Sequence, residues 1–235
     1  MTLSIIANNT GPIHTRSPSF LAADGSVVDT SHMLDAQLIA THTFTSAPPL
    51  DILILPGGFG STLLMTEEKD GHITDFVASR FHHTDYVISV CTGAGFLARA
   101  GVLEGRRATT NKAGWAGITQ HGRNITWIPS ARWVQDGKVW TSSGVSAGMD
   151  MMVAFLRHVY GDPIINDVVN VVEYAPHTDP TWDPFSVVDN VSPWLIEGKG
   201  SRMRVSADKK RVPGANMSRS LVDCVSPLEE YPDVS

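Results

Sequence analysis

The sequence is poor in cysteine, carries only a small excess of negative charge and has no long apolar run. Its 235 residues include two cysteines, Cys91 and Cys224, too few for a disulfide framework or a cysteine-based metal site. A net charge of −6 argues against binding nucleic acid or an anionic membrane. No stretch is apolar enough to cross a bilayer, and the N-terminus lacks a signal-peptide pattern. A cytoplasmic protein without metal, nucleic-acid or membrane partners is therefore expected.

The most informative segment is 85–101, in which a strand pattern passes directly into a helix pattern. Tyr86 to Val90 is short, apolar and rich in β-branched residues, as expected of a strand buried on both faces. Ala94 to Ala100 predicts a helix, and Gly101 is placed to end it. An abrupt corner of this kind strains its residue and exposes the side chain at the carboxyl edge of the sheet. Cys91 is therefore predicted to be a nucleophile at such an elbow.

The same corner predicts the ionisation of Cys91. Free backbone N–H groups and the positive end of the following helix favour a thiolate, so the pKa of the thiol is expected below its ordinary value. The alternative is a small buried cysteine that fills the core of the sheet. The corner, the following glycine Gly93 and the helix agree with one another, and they favour the elbow.

Strand and helix patterns alternate elsewhere in the chain. Asp51 to Leu55 predicts a second buried strand, followed by Gly57 and Gly58, which allow close approach of the backbone to a neighbour. Ser146 to Tyr160 predicts the clearest helix, with Ser146 as its N-cap. Other strands are predicted at 3–7, 107–110, 125–128, 132–135 and 138–142, and helices at 66–81 and 163–172. Asp136-Gly137, between the last two strands, predicts a hairpin. This order predicts an α/β fold with a doubly wound, mostly parallel sheet.

The composition changes near residue 190. Beyond it lie a group of basic residues and an acidic end, a composition that rarely supports a packed core. Residues 1–189 are therefore predicted to form the α/β domain and residues 190–235 a polar C-terminal tail, in which Cys224 is a spare thiol. Binding of nucleic acid by the basic residues is disfavoured because no aromatic side chains interleave them.

Four motifs, in this order, resemble the ThiJ/PfpI superfamily: I-L-I-L-P-G-G-F-G, V-I-S-V-C-T-G-A, R-R-A-T-T-N and T-S-S-G-V-S-A-G-M-D. Within it, they look most like the isonitrile hydratase branch and its fungal relatives. The resemblance covers about residues 50–185 and implies a flavodoxin-like sheet, usually a homodimer, with Cys91 as the nucleophile and no cofactor. It also implies an anion pocket made by the backbone N–H groups of Gly58 and Thr92, with the Thr92 hydroxyl at the site.

Three departures from the family pattern bear on function. Thr92 stands where members called proteases carry histidine. Asn111 stands where many members carry histidine, and an amide cannot accept a proton at neutral pH, although it can orient a substrate. The carboxylate that the family places beside the nucleophile has no counterpart before Asp51, because Leu3–Ala7 looks like the second strand of the fold. We therefore expect that the first βα unit is missing or that catalysis is weakened.

Isonitrile hydration is the leading hypothesis from these residues. The Cys91 thiolate would attack the electron-poor carbon, and water would release a formamide from the resulting thioimidate. The alternatives are a glyoxalase- or deglycase-like activity on aldehydes and a thiol sensor or binding protein without catalysis. Trp115 would wall the pocket, although aromatic residues more often belong to the core, and a methyl group on Gly58 would intrude beside Cys91. The candidate residues are Cys91 and Thr92 for catalysis, and Gly57, Gly58, Asn111 and Trp115 for binding a small substrate.

Overall fold

The computed structural model describes residues 2–15, 19–21, 27–32, 34–66 and 68–188. The predicted tail, with Cys224, lies outside these residues. None of the described helices is long and apolar enough to cross a membrane. The strands are β1 Ile6–Ala7, β2 Gly11–His14, β3 Phe20–Leu21, β4 Val27–Val28, β5 Gln37–Ala40, β6 His42–Thr43, β7 Ile52–Leu55, β8 Tyr86–Val90, β9 Arg107–Ala108, β10 Thr126–Trp127, β11 Trp133–Asp136 and β12 Val139–Ser142. The helices are α1 Phe59–Thr66, α2 Gly71–Phe81, α3 Ala94–Arg99, α4 Trp115–Ile118, α5 Val145–Tyr160, α6 Asp162–Val171 and α7 Phe185–Val188.

A four-stranded sheet with the order β11-β12-β8-β7 lies at the centre of the fold. Strands β7, β8 and β12 are parallel to one another, and β11 returns antiparallel to β12 through the hairpin predicted at Asp136-Gly137. The remaining strands form two-stranded pairs. Because parallel strands end at the same edge, Leu55, Val90 and Ser142 bring the segments that follow them together. The prediction of an α/β fold with a mostly parallel sheet is confirmed.

Strand β8 is covered on both faces, as its apolar character predicts. Successive side chains of a strand point to opposite faces, so Val87 and Ile88, both fully buried, belong to two different clusters. Val87 packs in the larger cluster, with helices α2 and α3. Ile88 packs with Trp140 and with Met151 and Phe155 of α5. Strand β8 is thereby held in the centre, and the segment after it is rigidly placed.

Strand β7 is the last strand of this sheet among the described residues. Leu53 and Leu55 are buried, whereas Ile54 is 48% exposed on the face that it shares with Ile88. A β-branched apolar side chain at the middle of a strand is usually covered. The exposure of Ile54 is therefore unusual. It does not identify what would cover this strand, so the expectation of a missing first βα unit stays a prediction.

Two local expectations are wrong. The helix predicted at 66–81 begins only at Gly71, as α2, and a separate helix, α1, ends at Thr66. Between them Glu68 adopts a left-handed conformation with a φ of +55°. A helix cannot continue through that conformation. Helix α5 begins at Val145 with Gly144 as its N-cap, so Ser146 lies inside the first turn instead of capping it.

Candidate active site

Cys91 directly follows β8 and has the backbone of a nucleophile elbow. Its φ is +60°, which is rare for a residue with a side chain, and it opens a 3-10 turn over Cys91–Gly93 that leads into α3. Its N–H donates to the Ser143 carbonyl at 2.9 Å, and its carbonyl accepts from the Thr110 hydroxyl at 2.8 Å. These two bonds, from the ends of two other strands, hold the strained residue in place.

Thr92 closes a ring of hydrogen bonds with Gly58 and Ser61. The Gly58 N–H donates to Thr92 Oγ1 at 2.9 Å, and Ser61 Oγ lies 2.6 Å from both Thr92 Oγ1 and the Gly58 carbonyl. A carbonyl only accepts, so every group is satisfied when Ser61 donates to Gly58 and Thr92 donates to Ser61. The Gly58 N–H is therefore engaged by Thr92, and it is not the free anion donor that the resemblance implies. This role of Ser61 was not predicted from the sequence. The feature that could have indicated it is the position of Ser61, three residues after Gly58 and near the start of α1.

The two glycines of the loop after β7 have different roles. A Cβ atom on Gly57 would lie 2.5 Å from the Thr92 nitrogen and 2.8 Å from the Val90 carbonyl oxygen, so only glycine fits between them. A Cβ atom on Gly58 would meet nothing within 4 Å. The expectation that a methyl group on Gly58 intrudes beside Cys91 is therefore wrong, and the close approach occurs at Gly57.

Burial raises the pKa of the Cys91 thiol, contrary to the expectation of a lowered value. Loss of hydration is the largest effect, and it outweighs the hydrogen bonds from the Thr92 N–H and hydroxyl that favour the thiolate. The following helix α3 has only six residues and is preceded by a 3-10 turn, so its dipole is short. No carboxylate or imidazole of the described residues contributes to this shift. The thiol is therefore protonated at neutral pH.

The raised pKa has a direct consequence for alkylation. We expect Cys91 to react with iodoacetamide only at a higher pH than free cysteine does, because the thiolate is the reactive form. The rate should be measured against pH by mapping the modified peptide, with an unstructured cysteine-containing peptide in the same reaction as the reference. A midpoint for Cys91 below that of the reference would show that the elbow activates the thiol.

Asn111 lies near the methyl group of Thr92, and Trp115 begins helix α4 directly after Gly114. Asn111 Oδ1 and the Thr92 methyl carbon lie 2.7 and 3.3 Å from the point at which a side chain on Gly114 would begin, so the two residues are brought together. Asn111 Oδ1 is buried and has no hydrogen-bond partner among the described residues. Trp115 is 5% exposed and packs edge-on against Trp127. Trp115 is therefore a core residue, and its part in a substrate pocket stays a prediction.

A buried ion pair supports the strand ends from behind. Arg132 donates from Nε to Asp150 at 2.7 Å, and the other oxygen of Asp150 accepts from the Tyr174 hydroxyl at 2.5 Å and the His177 N–H at 3.0 Å. The Arg132 carbonyl also accepts from the Ser143 N–H at 2.9 Å, and Ser143 holds Cys91. Asp150, the last residue of the fourth sequence motif, is therefore structural. The position of Asp150 in the motif could have indicated that it is important. Its hydrogen-bond partners could not be predicted, because they lie far from it in the sequence.

Known proteins resemble this chain in sequence. The DJ-1/PfpI family model matches residues 7–158. Isonitrile hydratase from Pseudomonas putida is 36% identical over 159 residues, which cover 65% of this chain and 67% of that protein. The HTH-type transcriptional regulator GbdR from Pseudomonas aeruginosa is 30% identical over 116 residues, 49% of this chain and 30% of the regulator.

Solved structures resemble it in fold. A THiJ/PfpI family protein from Pseudomonas syringae has a TM-score of 0.56 at 24% identity, with 75% of this chain and 64% of that chain covered. Drosophila melanogaster DJ-1beta has a TM-score of 0.51 at 20% identity, with 60% and 74% covered. The chain thus spans less than two thirds of the P. syringae protein and of the regulator. The match over residues 7–158 and these folds show that the chain belongs to the DJ-1/PfpI family, with the α/β, flavodoxin-like fold that its four motifs predict.

Proposed function

We propose that this protein hydrates isonitriles to N-substituted formamides, with Cys91 as the nucleophile and without a cofactor. The observation that carries the proposal is a half-buried cysteine on a strained elbow with a φ of +60°. Burial raises the pKa of its thiol. The 36% identity to isonitrile hydratase supports the same substrate class. A homodimer, a cytoplasmic setting and the division into a domain, 1–189, and a tail, 190–235, belong to the same proposal.

A protonated thiol suits this reaction because of the electronic structure of the isonitrile. Its terminal carbon has a lone pair that accepts a proton and an empty orbital that accepts a sulfur. The S–H bond of Cys91 breaks, a C–H and a C–S bond form on the same carbon, and the product is a thioimidate. Water then adds to that carbon, a proton passes to nitrogen, the C–S bond breaks and the sulfur regains its proton. The net reaction adds one water and needs no other reactant.

The residues around Cys91 fit the polar demands of these steps. The Thr92 N–H hydrogen-bonds the sulfur and stabilises charge that develops on it when the C–S bond breaks. The unpartnered Asn111 Oδ1 is an acceptor for the attacking water or for the N–H of the intermediate. Asn111 orients these groups and does not take a proton. Thr92 is the catalytic neighbour of Cys91, and Gly57, Asn111 and Trp115 shape the space for the substrate. Gly58, proposed from the sequence as a binding residue, instead fixes the Thr92 hydroxyl through its N–H.

The two alternatives depend on different observations. A glyoxalase- or deglycase-like reaction removes a proton from carbon and needs a base, and no carboxylate or imidazole of the described residues acts on Cys91. A binding protein that senses a small molecule is favoured by the similarity to the regulator GbdR. That similarity covers 30% of the regulator, so it bears on a shared domain alone.

An assay with two substrates separates these functions. The purified protein is incubated with an aryl isonitrile and, separately, with methylglyoxal, and formamide and lactate are quantified. Protein alkylated at Cys91 serves as the control. We expect formamide from the unmodified protein alone. Lactate without formamide would identify the aldehyde activity, and tight isonitrile binding without product would identify a binding protein.

A further inference from the structure

Lys112 is a buried ammonium that the reaction above does not use. Its side chain is 1% exposed, and its Nζ lies 5.0 Å from the centre of the Trp115 ring. It donates to Thr109 Oγ1 at 2.9 Å, to the Ala131 carbonyl at 3.0 Å and to the Thr110 carbonyl at 3.2 Å. Lysine is rarely buried this deeply, so the burial of this amine needs an explanation.

One of these acceptors leads directly to the nucleophile. The same Thr110 whose carbonyl accepts from Lys112 donates its hydroxyl to the carbonyl of Cys91. Thr109, the first acceptor, is fixed in turn by its N–H, which donates to Thr141 Oγ1 of β12 at 2.9 Å. Lys112 thus ties the segment 109–111 to the strand ends, and Asn111 is part of that segment.

The counterion of Lys112 comes from the segment that leads to α7. Asp183 Oδ2 lies 3.6 Å from Nζ, and the Asp183 side chain is also 1% exposed. Asp183 Oδ1 accepts from the Phe185 N–H at 3.1 Å, whereas Oδ2 has no hydrogen-bond partner among the described residues. The Lys112 ammonium is therefore the group that compensates the charge of this carboxylate, as a buried carboxylate requires.

We propose that the Lys112 ammonium, held by Asp183, is a positioning residue that keeps Thr110, Cys91 and Asn111 in the reactive arrangement. An ammonium has three hydrogens and can make all three of these bonds, whereas a neutral amine has two and loses one of them. The charged form of Lys112 is then the competent form. This inference rests on the proposed role of Cys91.

The charge of Lys112 is lost at an accessible pH. Burial lowers the pKa of Lys112 to about 8, and Asp183 opposes that shift. Other charged groups nearby are committed elsewhere, since Arg132, which follows Ala131, pairs with Asp150. The thiol of Cys91, on the far side of Thr110, titrates above its own ordinary pKa. Deprotonation of Lys112 therefore precedes ionisation of the thiol as the pH rises.

The test measures how pH affects both turnover and thiol reactivity. Turnover of an aryl isonitrile is followed from about pH 6 to pH 10 in the wild type, in Asp183→Asn and in Asp70→Asn. Asp70 is the matched control, because it is equally buried but pairs with Arg99. In the same samples, the rate of Cys91 alkylation by iodoacetamide is measured and divided by the fraction of thiolate, which is obtained from the absorbance. These proteins also carry Cys224→Ser, so that Cys91 alone contributes to both quantities.

Loss of the carboxylate should lower the pKa of Lys112, so the alkaline fall in kcat should move down by about one pH unit in Asp183→Asn. The Michaelis constant should change less than about threefold, and Asp70→Asn should keep the wild-type profile. In the Cys224→Ser background, with Asp183 unchanged, corrected alkylation should fall at least about threefold as the pH passes 8. That measurement requires neither isonitrile turnover nor a stable Asp183→Asn protein. Coincident profiles for the wild type and Asp183→Asn, or corrected alkylation that is independent of pH, would overturn the inference.

Discussion

Replacing Cys91 by serine should lower the rate of isonitrile hydration by at least about a thousandfold. Serine is nearly isosteric with cysteine, so the elbow, the bond to Ser143 and the bond from Thr110 are kept. The serine hydroxyl is far less nucleophilic and less acidic than a thiol, and no carboxylate or imidazole of the described residues acts on this position as a base. Loss of activity with the structure retained would assign the bond-forming step to sulfur.

The measurement is initial rates of formamide formation at saturating isonitrile, with circular dichroism and melting temperature as the check on folding. Thr92→Val is a useful companion, because it removes the neighbouring hydroxyl and keeps the sulfur. A serine variant that keeps more than about a tenth of the activity would show that Cys91 is not the nucleophile.

Gly57→Ala should reduce turnover by about a hundredfold or more, because a displacement of about 1 Å beside the nucleophile is enough for such a loss. The new methyl group would lie 2.5 Å from the Thr92 nitrogen, 2.7 Å from Thr92 Oγ1 and 2.8 Å from the Val90 carbonyl oxygen. Two of these atoms belong to the backbone of the elbow and cannot move without moving Cys91. Overpacking of this kind also lowers the free energy of unfolding by about 1–3 kcal/mol.

Gly58→Ala is the matched control for this change. Its methyl group meets nothing within 4 Å, and its cost is the strain of an alanine at a φ of +154°. Such strain costs about 1–3 kcal/mol, so both variants should melt earlier than the wild type. Turnover by the folded Gly58→Ala protein should remain within about fivefold of the wild type. Equal losses of turnover in both variants would contradict the assignment of the close approach to Gly57.

The features predicted well from the sequence are those that depend on near neighbours. Strand β8 has the bounds predicted for it, 86–90, because β-branching and a continuous apolar run are local properties. The hairpin at Asp136-Gly137 and the corner at Cys91 follow from residues that are adjacent in the chain. The four motifs likewise identify the family, because each of them is a short uninterrupted segment.

The features that escaped prediction join distant segments. The bond between Ser61 and Thr92 spans 31 residues, and the ion pair of Lys112 with Asp183 joins the segment before α4 to the segment before α7. Nothing in either local sequence indicates these partners. The prediction of a lowered pKa for the Cys91 thiol was wrong for a related reason. The position of the following helix can be predicted from the sequence, but the degree of burial of the thiol cannot.

The hydrogen-bonded ring of Gly58, Ser61 and Thr92 couples the loop after β7 to the ionisation of the Cys91 thiol. The Thr92 hydroxyl has one proton, and it cannot donate to Ser61 and to the Cys91 thiolate at the same time. Ionisation of the thiol therefore draws a hydrogen bond out of the loop, and a fully bonded loop favours the neutral thiol. Linkage of this kind is reciprocal: whatever tightens the loop makes the sulfur a weaker acid, and whatever loosens it makes the sulfur a stronger one.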